Sequence, residues 1–305
     1  MKTFILKRLL LLVPILFGIS LIVFSLMHLI PGDPVDIILG ESAQVSDKEH
    51  LRKMLHLDEK IHVQYFLFLK DIASGNLKSI HSKRSVWKEI GERFPATAEL
   101  AFWAMVFAMS VSIPLGMLAA IKHKTIIDGF SMLIALLGIS IPHFWLGPLL
   151  IILFAYTLPI FPISERSNFL SLVLPAITLG TAMMALLSRL TRTTTLEVIR
   201  EEYVRTARAK GLSEGKVLFK HVLRNTLIPV ITIAGIQTGA LLSGSIITET
   251  IFDWPGIGSL LVEAIQSRNY PLVQGCVILI ATLYVTINLL TDVLYAFIDP
   301  RIRLQ

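Results

Sequence analysis

The 305-residue chain is 54% hydrophobic and only 16% charged, and its mean hydropathy is +0.70. Soluble domains carry about 25% charged residues, so this composition excludes a soluble domain and indicates a membrane protein. The formal net charge is +6, but the basic residues lie beside apolar runs, which argues against a nucleic-acid-binding protein. The single cysteine, Cys276, excludes a disulfide within the chain.

Six apolar runs approach or exceed the roughly 20 residues needed to cross the hydrocarbon layer of a membrane. They are residues 9–30, 96–121, 130–158, 170–187, 227–250 and 272–298. Backbone polar groups in lipid have to be satisfied within their own segment, so each run is predicted to be a helix. The sequence therefore predicts an all-α membrane protein with six transmembrane helices.

The first run follows a basic stretch and is too long for a cleaved signal peptide, so we expect an uncleaved span. It ends at Pro31-Gly32-Asp33-Pro34, where the prolines oppose further helix. Residues 35–94 combine mixed charge with weak helical periodicity and are predicted to lie outside the membrane. We expect residues 1–94 to form an anchor with this outer segment, and residues 95–298 to form the main membrane domain.

The chain shows none of the common enzyme or metal-site patterns. It has no Walker glycine loop, no paired cysteine motif and no HExxH. Three evenly spaced histidines, His50, His56 and His62, do not share a helical face. No catalytic residue, metal or cofactor is therefore predicted.

The third and fourth runs carry signals of irregular helices. Pro142 and Pro148 lie within the third run and predict a kink, which serves either as a hinge or as a packing device. The fourth run, 170–187, is short for a span, and we expect Arg189 to end it on the cytoplasmic side.

Basic residues are distributed unequally between the connections. Short connections on one side carry most of them: Lys2, Lys7, Arg8, Lys122, Lys124, nine between Arg189 and Arg224, Arg301 and Arg303. The short connections on the other side carry only Arg166 and Arg268. Because basic residues are retained inside, both termini and residues 201–229 are predicted to be cytoplasmic.

Residues 201–229 form a basic, patterned segment between two apolar runs. Apolar side chains recur at three- and four-residue intervals, which predicts one helical face: Leu196, Ile199, Tyr203 and Ala207. Gly211 is a helix stop at which φ is expected to be positive and a Cβ to clash, and Ser213 can cap the next helix. We predict two short helices hinged at Gly211-Leu212-Ser213, with Pro229 opening the following span.

This segment resembles the EAA loop of the permease subunits of bacterial ABC importers, most closely in the peptide and nickel branch. Arg205-Thr206-Ala207 stand where the motif has Glu-Ala-Ala, Gly211 stands at the motif glycine, and Ile228-Pro229 close the segment. The turn after the first run, with residues 252–258 and 268–271, also matches this family, so the resemblance covers nearly the whole chain. Residues 75–79 match the family turn only in part.

The resemblance implies a six-helix type I ABC importer permease with a cytoplasmic coupling loop. The residues it assigns to contact with an ATPase are Arg205, Thr206, Ala207, Gly211, Leu212, Ser213, Ile228 and Pro229. It further implies a second homologous permease, cytoplasmic ATPases that hydrolyse ATP, and an extracytoplasmic binding protein, all at the cytoplasmic membrane. Peptide is the default substrate, with glutathione and nickel complexes left open.

Two other interpretations remain at this stage. The basic segment could bind only anionic lipid, or the chain could be an ion-coupled secondary transporter. Such carriers place ionisable residues near the membrane midplane, whereas Glu249 and Asp292 fall near the ends of their runs. Three polar residues of the last two runs are the candidates for a translocation path: Gln237, Ser243 and Asn288.

Overall fold

The computed structural model describes residues 2–29, 33–40, 42–163 and 166–298. These residues are mostly helical, and within them the β pairing is limited to an isolated antiparallel bridge between Lys78 and Ser85. The chain divides into two compact units. The first unit comprises Met1–Thr97 and Pro255–Thr286, and the second comprises Ala98–Trp254 and Ile287–Gln305.

The first unit contains four helices before the main membrane region. They are α1 (Lys2–His28), α2 (Pro34–Leu39), α3 (Val45–Met54) and α4 (Ile61–Ser74). Phe24 of α1 packs against Tyr65 and Phe68 of α4 in a buried cluster. The hydroxyls of Ser20 and Tyr65 lie 2.8 Å apart within it, so the cluster also satisfies its polar groups.

The outer segment is more ordered than its weak periodicity predicts. Asp33 caps α2 by accepting a hydrogen bond from the Val35 amide, which explains why the turn before it starts a new helix. Pro31 and Gly32, also assigned to that turn, lie outside the described residues.

The second span starts earlier than predicted. Helix α5 (Val86–Ile121) begins at Val86 rather than at residue 96. Val86 and Ile90 are buried while Lys88 and Glu92 are exposed, so this polar stretch is amphipathic helix rather than loop. Hydropathy alone does not detect such an extension, because its polar face lowers the average.

The remaining helices follow in chain order. They are α6 (Ile126–Ser140), α7 (His143–Leu150), π1 (Ile151–Thr157, a π-helical turn), α8 (Phe169–Ile199), α9 (Glu202–Ala209), α10 (Glu214–Lys216), π2 (Val217–Val222, also π-helical), α11 (Leu223–Ile251), α12 (Ile257–Gln266) and α13 (Tyr270–Ile298). The residues of α13 divide between the two units at Thr286.

Helix α8 is the centre of the second unit. In its most apolar stretch 67% of the residues are buried, against 39% or less in the other long spans. It packs against α6 and α11. It also approaches α5 very closely, since a Cβ added to Gly180 would lie 2.5 Å from the Ala104 carbonyl oxygen. Glycine therefore allows backbone contact between α5 and α8, as in other membrane helix pairs.

The predicted end of the fourth span is wrong. Helix α8 continues past Arg189 to Ile199 and buries polar side chains on the way. Ser188 donates to the Met184 carbonyl at 2.7 Å, and Thr191 donates to the Leu187 carbonyl at 2.7 Å. Because these hydroxyls are satisfied within the helix, polar residues do not end it.

The predicted kink in the third span is confirmed, and it is sharp. The helices on either side of the break at Ile141 and Pro142 are bent by 105°. Ile141 adopts an extended conformation (φ −87°, ψ 115°), as expected for a residue before proline. His143 Nδ1 donates to the Thr178 carbonyl at 2.9 Å and so fixes the bend to α8. Pro148 lies inside α7.

Each of the six predicted apolar runs falls on a helix or on this bent pair. By length and composition, four described segments can cross a membrane alone, and the bent pair brings the number to five. In the first predicted span the apolar helix with described side chains covers Leu10–Ser25. The predicted all-α membrane architecture is therefore confirmed.

Candidate functional site

The basic segment between α8 and α11 contains a short helix set off by two breaks. Helix α8 ends at Ile199, and α9 starts at Glu202. The prediction that Leu196 to Ala207 share one continuous helix is wrong, because Glu201 is extended (φ −65°, ψ 145°). The second break is at Gly211.

Gly211 adopts a left-handed conformation with φ +78°. Its amide donates to the Arg208 carbonyl at 2.9 Å, which closes the last turn after α9. A Cβ at Gly211 would meet no atom within 4 Å, so the predicted steric clash is wrong. The backbone conformation, not crowding, is the reason for glycine here.

The chain resumes as a helix directly after the turn. Ser213 is extended and precedes α10, but its side chain makes no capping hydrogen bond. Helix α10, π2 and α11 follow one another without interruption, so the second predicted short helix is the start of a long one. Pro229 lies inside α11 rather than at its beginning. Prolines are tolerated in membrane helices because π turns and neighbouring groups satisfy the carbonyls that they free.

An apolar cluster holds α9 against this long helix. Val204 and Ala207 of α9 are buried together with Val217 and Val222 of π2. Ala207, which occupies the last position of the Arg-Thr-Ala triplet, therefore faces inward. It packs in the segment and does not form part of its exposed surface.

Polar contacts join the same two elements. Arg208 Nε donates to Glu214 Oε1 at 2.8 Å, so this ion pair bridges the turn at Gly211. Asn225 Nδ2 donates to the Tyr203 hydroxyl at 2.9 Å. Partial burial raises the pKa of Tyr203 above its ordinary value of 10.0, so the hydroxyl stays protonated at physiological pH. Helix α9 and the start of the long helix are thus linked at both ends of α9.

Most of the other predicted residues of the segment are exposed to solvent. Arg205, Thr206, Leu212 and Ser213 are exposed, and Leu212 is an apolar side chain at 37% exposure. Phe219 of π2, which was not among the predicted residues, is 72% exposed. Ile228 is exposed on α11, and Pro229 is half-buried there. The structure therefore presents a basic surface with three exposed apolar side chains, those of Leu212, Phe219 and Ile228.

The π-helical turn π2 was not predicted. It lies where the segment enters α11 and contains Val217 and Val222 of the apolar cluster. Short π turns inside α-helices are rare and often occur at functional sites. Their signal is a hydrogen-bond register, which apolar periodicity does not reveal.

An ion pair about two turns before the end of α8 was not predicted either. Asp128 in the first turn of α6 accepts from Arg192 of α8 at 2.7 Å (Nε to Oδ1) and 2.8 Å (Nη2 to Oδ2). The Lys124 amide donates to the same carboxylate at 3.0 Å. His123 Nδ1 lies 3.1 Å from Arg192 Nη2 and 3.2 Å from Asp128 Oδ2. The connection between α5 and α6 is thereby fixed to α8.

The three path candidates lie on two helices of the second unit. Gln237 on α11 and Asn288 on α13 are half-buried. Ser243 also lies on α11, but its side chain lies outside the described residues. A Cβ on Gly235 would lie 3.3 Å from Thr291 Cγ2, so the two helices meet beside these positions.

The structure describes one of the two carboxylate side chains considered for ion coupling. The Asp292 side chain lies outside the described residues. Glu249, near the end of α11, is fully buried.

Two protein-family models together match nearly the whole chain. Residues 112–304 match the family model of the binding-protein-dependent transport system inner membrane component. Residues 1–101 match the model of the N-terminal part of membrane components of the same systems.

Curated relatives are similar over their full length. The chain is 44% identical to a di/tripeptide transport system permease protein of Pseudomonas aeruginosa, with 100% of both chains covered. It is 42% identical to a dipeptide transport system permease protein of Escherichia coli K12 and 42% identical to a glutathione transport system permease protein of the same strain. Each of these two comparisons covers 99% of both chains.

A solved structure shares the fold. The structure superposes on the MetNI methionine ABC transporter in an inward-facing conformation with a TM-score of 0.54. The match covers 69% of this chain and 96% of that one at 17% sequence identity, and it therefore concerns the fold alone.

Proposed function

Because the chain belongs to the family of binding-protein-dependent transport system inner membrane components, we propose that it is the permease subunit of an ATP-driven peptide importer. The observation that carries this proposal is the full-length identity of 44% and 42% with permeases of di/tripeptide and dipeptide transport systems. In this function the six spans carry the peptide across the cytoplasmic membrane, and ATP is hydrolysed by a separate chain.

Residues 201–229 are the proposed site of ATPase docking. Arg205, Thr206, Leu212 and Ser213 offer charged, polar and apolar contacts on one exposed segment. The Arg208–Glu214 ion pair and the apolar cluster tie α9 to the start of the long helix. A displacement of α9 by the ATPase is therefore transmitted to α11 as a lever movement, which alternates the access of the bundle.

The proposed assembly follows from this division of work. It contains a second homologous permease, two cytoplasmic ATPases and an extracytoplasmic binding protein. Both termini and residues 201–229 face the cytoplasm, as the distribution of Lys and Arg indicates. Residues 1–94 form the anchor and outer segment, and residues 95–298 form the membrane domain common to such permeases.

The peptide path is proposed to pass beside α11 and α13. Consecutive spans run in opposite directions, and Gln237 and Asn288 lie two and three residues from the Gly235–Thr291 contact. At a rise of about 1.5 Å per residue, both amides lie within about 5 Å of that level along the helices. Amides at one depth suit a peptide, whose backbone needs both donors and acceptors. Ser243 is the third proposed path residue.

Glutathione is the second candidate substrate, because the similarity to a glutathione permease is also 42% over 99% of both chains. Glutathione is itself a peptide, so the two candidates differ in side-chain recognition rather than in transport chemistry. Nickel complexes remain a third alternative in the same family.

Uptake by reconstituted vesicles tests the proposal. The complete complex is placed in proteoliposomes with the binding protein, and accumulation of a radiolabelled dipeptide is measured with and without ATP on the ATPase side. We expect accumulation that requires both ATP and the binding protein. Competition by unlabelled glutathione or a nickel complex identifies the preferred cargo. Accumulation that does not require ATP but depends on a proton gradient would show an ion-coupled carrier instead.

A further inference from the structure

The outer part of the first unit contains a cavity of about 670 Å³ bordered by basic side chains. Lys53 on α3 contributes to its lining, as do Lys78 and Lys83 in the loop before α5. All three lysines are exposed, whereas Leu51 and Ile80, which also line the cavity, are buried and half-buried. We call this cavity the lysine pocket. Among the described residues of its lining, Asp47 is the acidic one.

The three ammonium groups are not neutralised by neighbouring acids. Within the part of the chain that the structure describes, Lys53, Lys78 and Lys83 make no side-chain ion pair or hydrogen bond. Other basic residues nearby are paired: Lys48 lies 2.7 Å from Asp36, and Arg52 contacts Asp33. The pocket therefore concentrates positive charge while its surroundings are balanced, which favours an anionic partner.

The loop that presents two of these lysines is held in a constrained shape. Lys78 pairs with Ser85 in the antiparallel bridge, and the Ser79 amide donates to the Arg84 carbonyl at 3.0 Å. Lys83 adopts a left-handed backbone conformation with φ 56°. Residues other than glycine and asparagine seldom adopt it. Backbone in such a sparse region persists only where the surroundings enforce it, and it marks candidates for a functional role.

The lining of the pocket combines exposed lysines with apolar residues that are less accessible. Exposed ammonium groups bind a free carboxylate weakly, because water screens the charge. A protein loop that carries an acidic and an apolar side chain can use both parts of the pocket at once, and complementary charge would accelerate its docking.

We propose that the lysine pocket is the docking site for an acidic loop of the substrate-binding protein. This inference rests on the proposed function, which places residues 35–94 on the extracytoplasmic side and requires a binding protein there. It adds the chemistry of the contact: carboxylates facing Lys53, Lys78 and Lys83, and an apolar side chain over Leu51 and Ile80.

Charge reversal tests the inference in the assembled complex. The test variant carries Lys78→Glu and Lys83→Glu, and the matched control carries Lys60→Glu and Lys70→Glu, two exposed lysines of the same outer segment that do not line the pocket. Both complexes are placed in nanodiscs of phosphatidylcholine. The probe is the purified substrate-binding protein of the same transport system, and its Kd for the complex is measured by biolayer interferometry at two salt concentrations.

We expect the Kd of the test variant to rise at least about tenfold, mainly through a slower association rate, while the control changes less than twofold. Raising the salt concentration should weaken binding to the wild type and affect the test variant much less. ATPase co-purification and basal ATP hydrolysis should be unchanged in both variants, which shows that the complex is intact.

Three results would overturn the inference while ATP-driven uptake by the wild type stands. They are an unchanged Kd in the test variant, an equal rise in the control, and an effect that appears only in phosphatidylglycerol nanodiscs, which would indicate a lipid site. A wild-type complex that neither binds the binding protein nor drives uptake overturns the proposed function itself.

Discussion

At the scale of single residues, Gly211 shows which physical constraint acts in the basic segment. The added Cβ would meet nothing within 4 Å, whereas φ is +78°. A larger residue therefore has space for its side chain but not an easy backbone conformation. Forcing a β-branched residue into this region costs roughly 1–3 kcal/mol. This cost is small beside the packing of a membrane bundle, so its effect should stay local.

We expect Gly211→Val to uncouple transport without preventing membrane insertion. The turn should shift to relieve the strain, which displaces α9 from the start of the long helix and disturbs the proposed ATPase surface. The amount of permease in the membrane should be close to wild type, whereas ATPase co-purification and ATP-driven uptake should fall. Quantitative immunoblotting measures the amount of permease in the membrane fraction and the amount of ATPase in the purified complex. Uptake is measured in proteoliposomes.

Gly215→Val is the matched control for this substitution. Gly215 also has no atom within 4 Å of an added Cβ, but its φ is not positive, so valine is not strained there. Arg205→Gln with Lys210→Gln removes charge without touching the Arg208–Glu214 ion pair. If that pair of substitutions releases the ATPase and Gly211→Val does not, the segment acts by charge and the hinge model is wrong.

At the scale of helices, the Asp128–Arg192 ion pair determines how the start of α6 is held. Asp128 is 6% exposed and receives two hydrogen bonds from the Arg192 guanidinium. Arg192 lies two turns before the end of α8, beyond which the basic segment begins. The pair therefore fixes the region from which α9 extends.

Arg192→Gln should destabilise the protein by about 2 kcal/mol, because a buried carboxylate loses its charged donor. Asp128→Asn should cost a similar amount for the converse reason. The double variant should lose less than the sum of the two, since neither charge is then left uncompensated. Thermal unfolding of the purified protein in detergent measures this cycle, and purely additive losses would show that the two side chains are not coupled.

The sequence predicts the apolar helices well and their ends poorly. A run of about 20 apolar residues is a strong signal, but α5 starts at Val86 and α8 continues to Ile199 through polar residues. The hydroxyls of Ser188 and Thr191 donate to carbonyls of their own helix, so these residues can be buried in it. A hydropathy scale counts them as polar and therefore predicts the end of the helix too early.

The sequence predicts only those features of the candidate site that have a local signal. The turn at Gly211 follows from a local glycine signal and is present in the structure. The break at Glu201, the π turn and the inward position of Ala207 depend on packing against Val217 and Val222. Asp128 and Arg192 are 64 residues apart, so no local pattern joins them.

At the scale of the whole molecule, orientation in the membrane is the prediction on which the proposed function depends. The proposed function requires residues 201–229 to face the cytoplasm and the lysine pocket to face the outside of the cell. Positive charge on the short connections supports this orientation. Ser82 and Ser213 are exposed and lie on the two predicted sides, so each can serve as a reporter, whereas Ser79 is only 1% exposed and is unsuitable.

Labelling in intact cells with a membrane-impermeant maleimide tests the orientation. The background carries Cys276→Ala, which removes the single native thiol of the chain, so that any labelling comes from the introduced cysteine. Alanine is chosen because Cys276 is fully buried and a small apolar residue suits that position. The thiol introduced by Ser82→Cys should react from outside, since the predicted outer segment is accessible there. The thiol introduced by Ser213→Cys should react only after the cells are made permeable. If Ser213→Cys reacts in intact cells and Ser82→Cys does not, the orientation is reversed and ATPase docking at residues 201–229 is impossible.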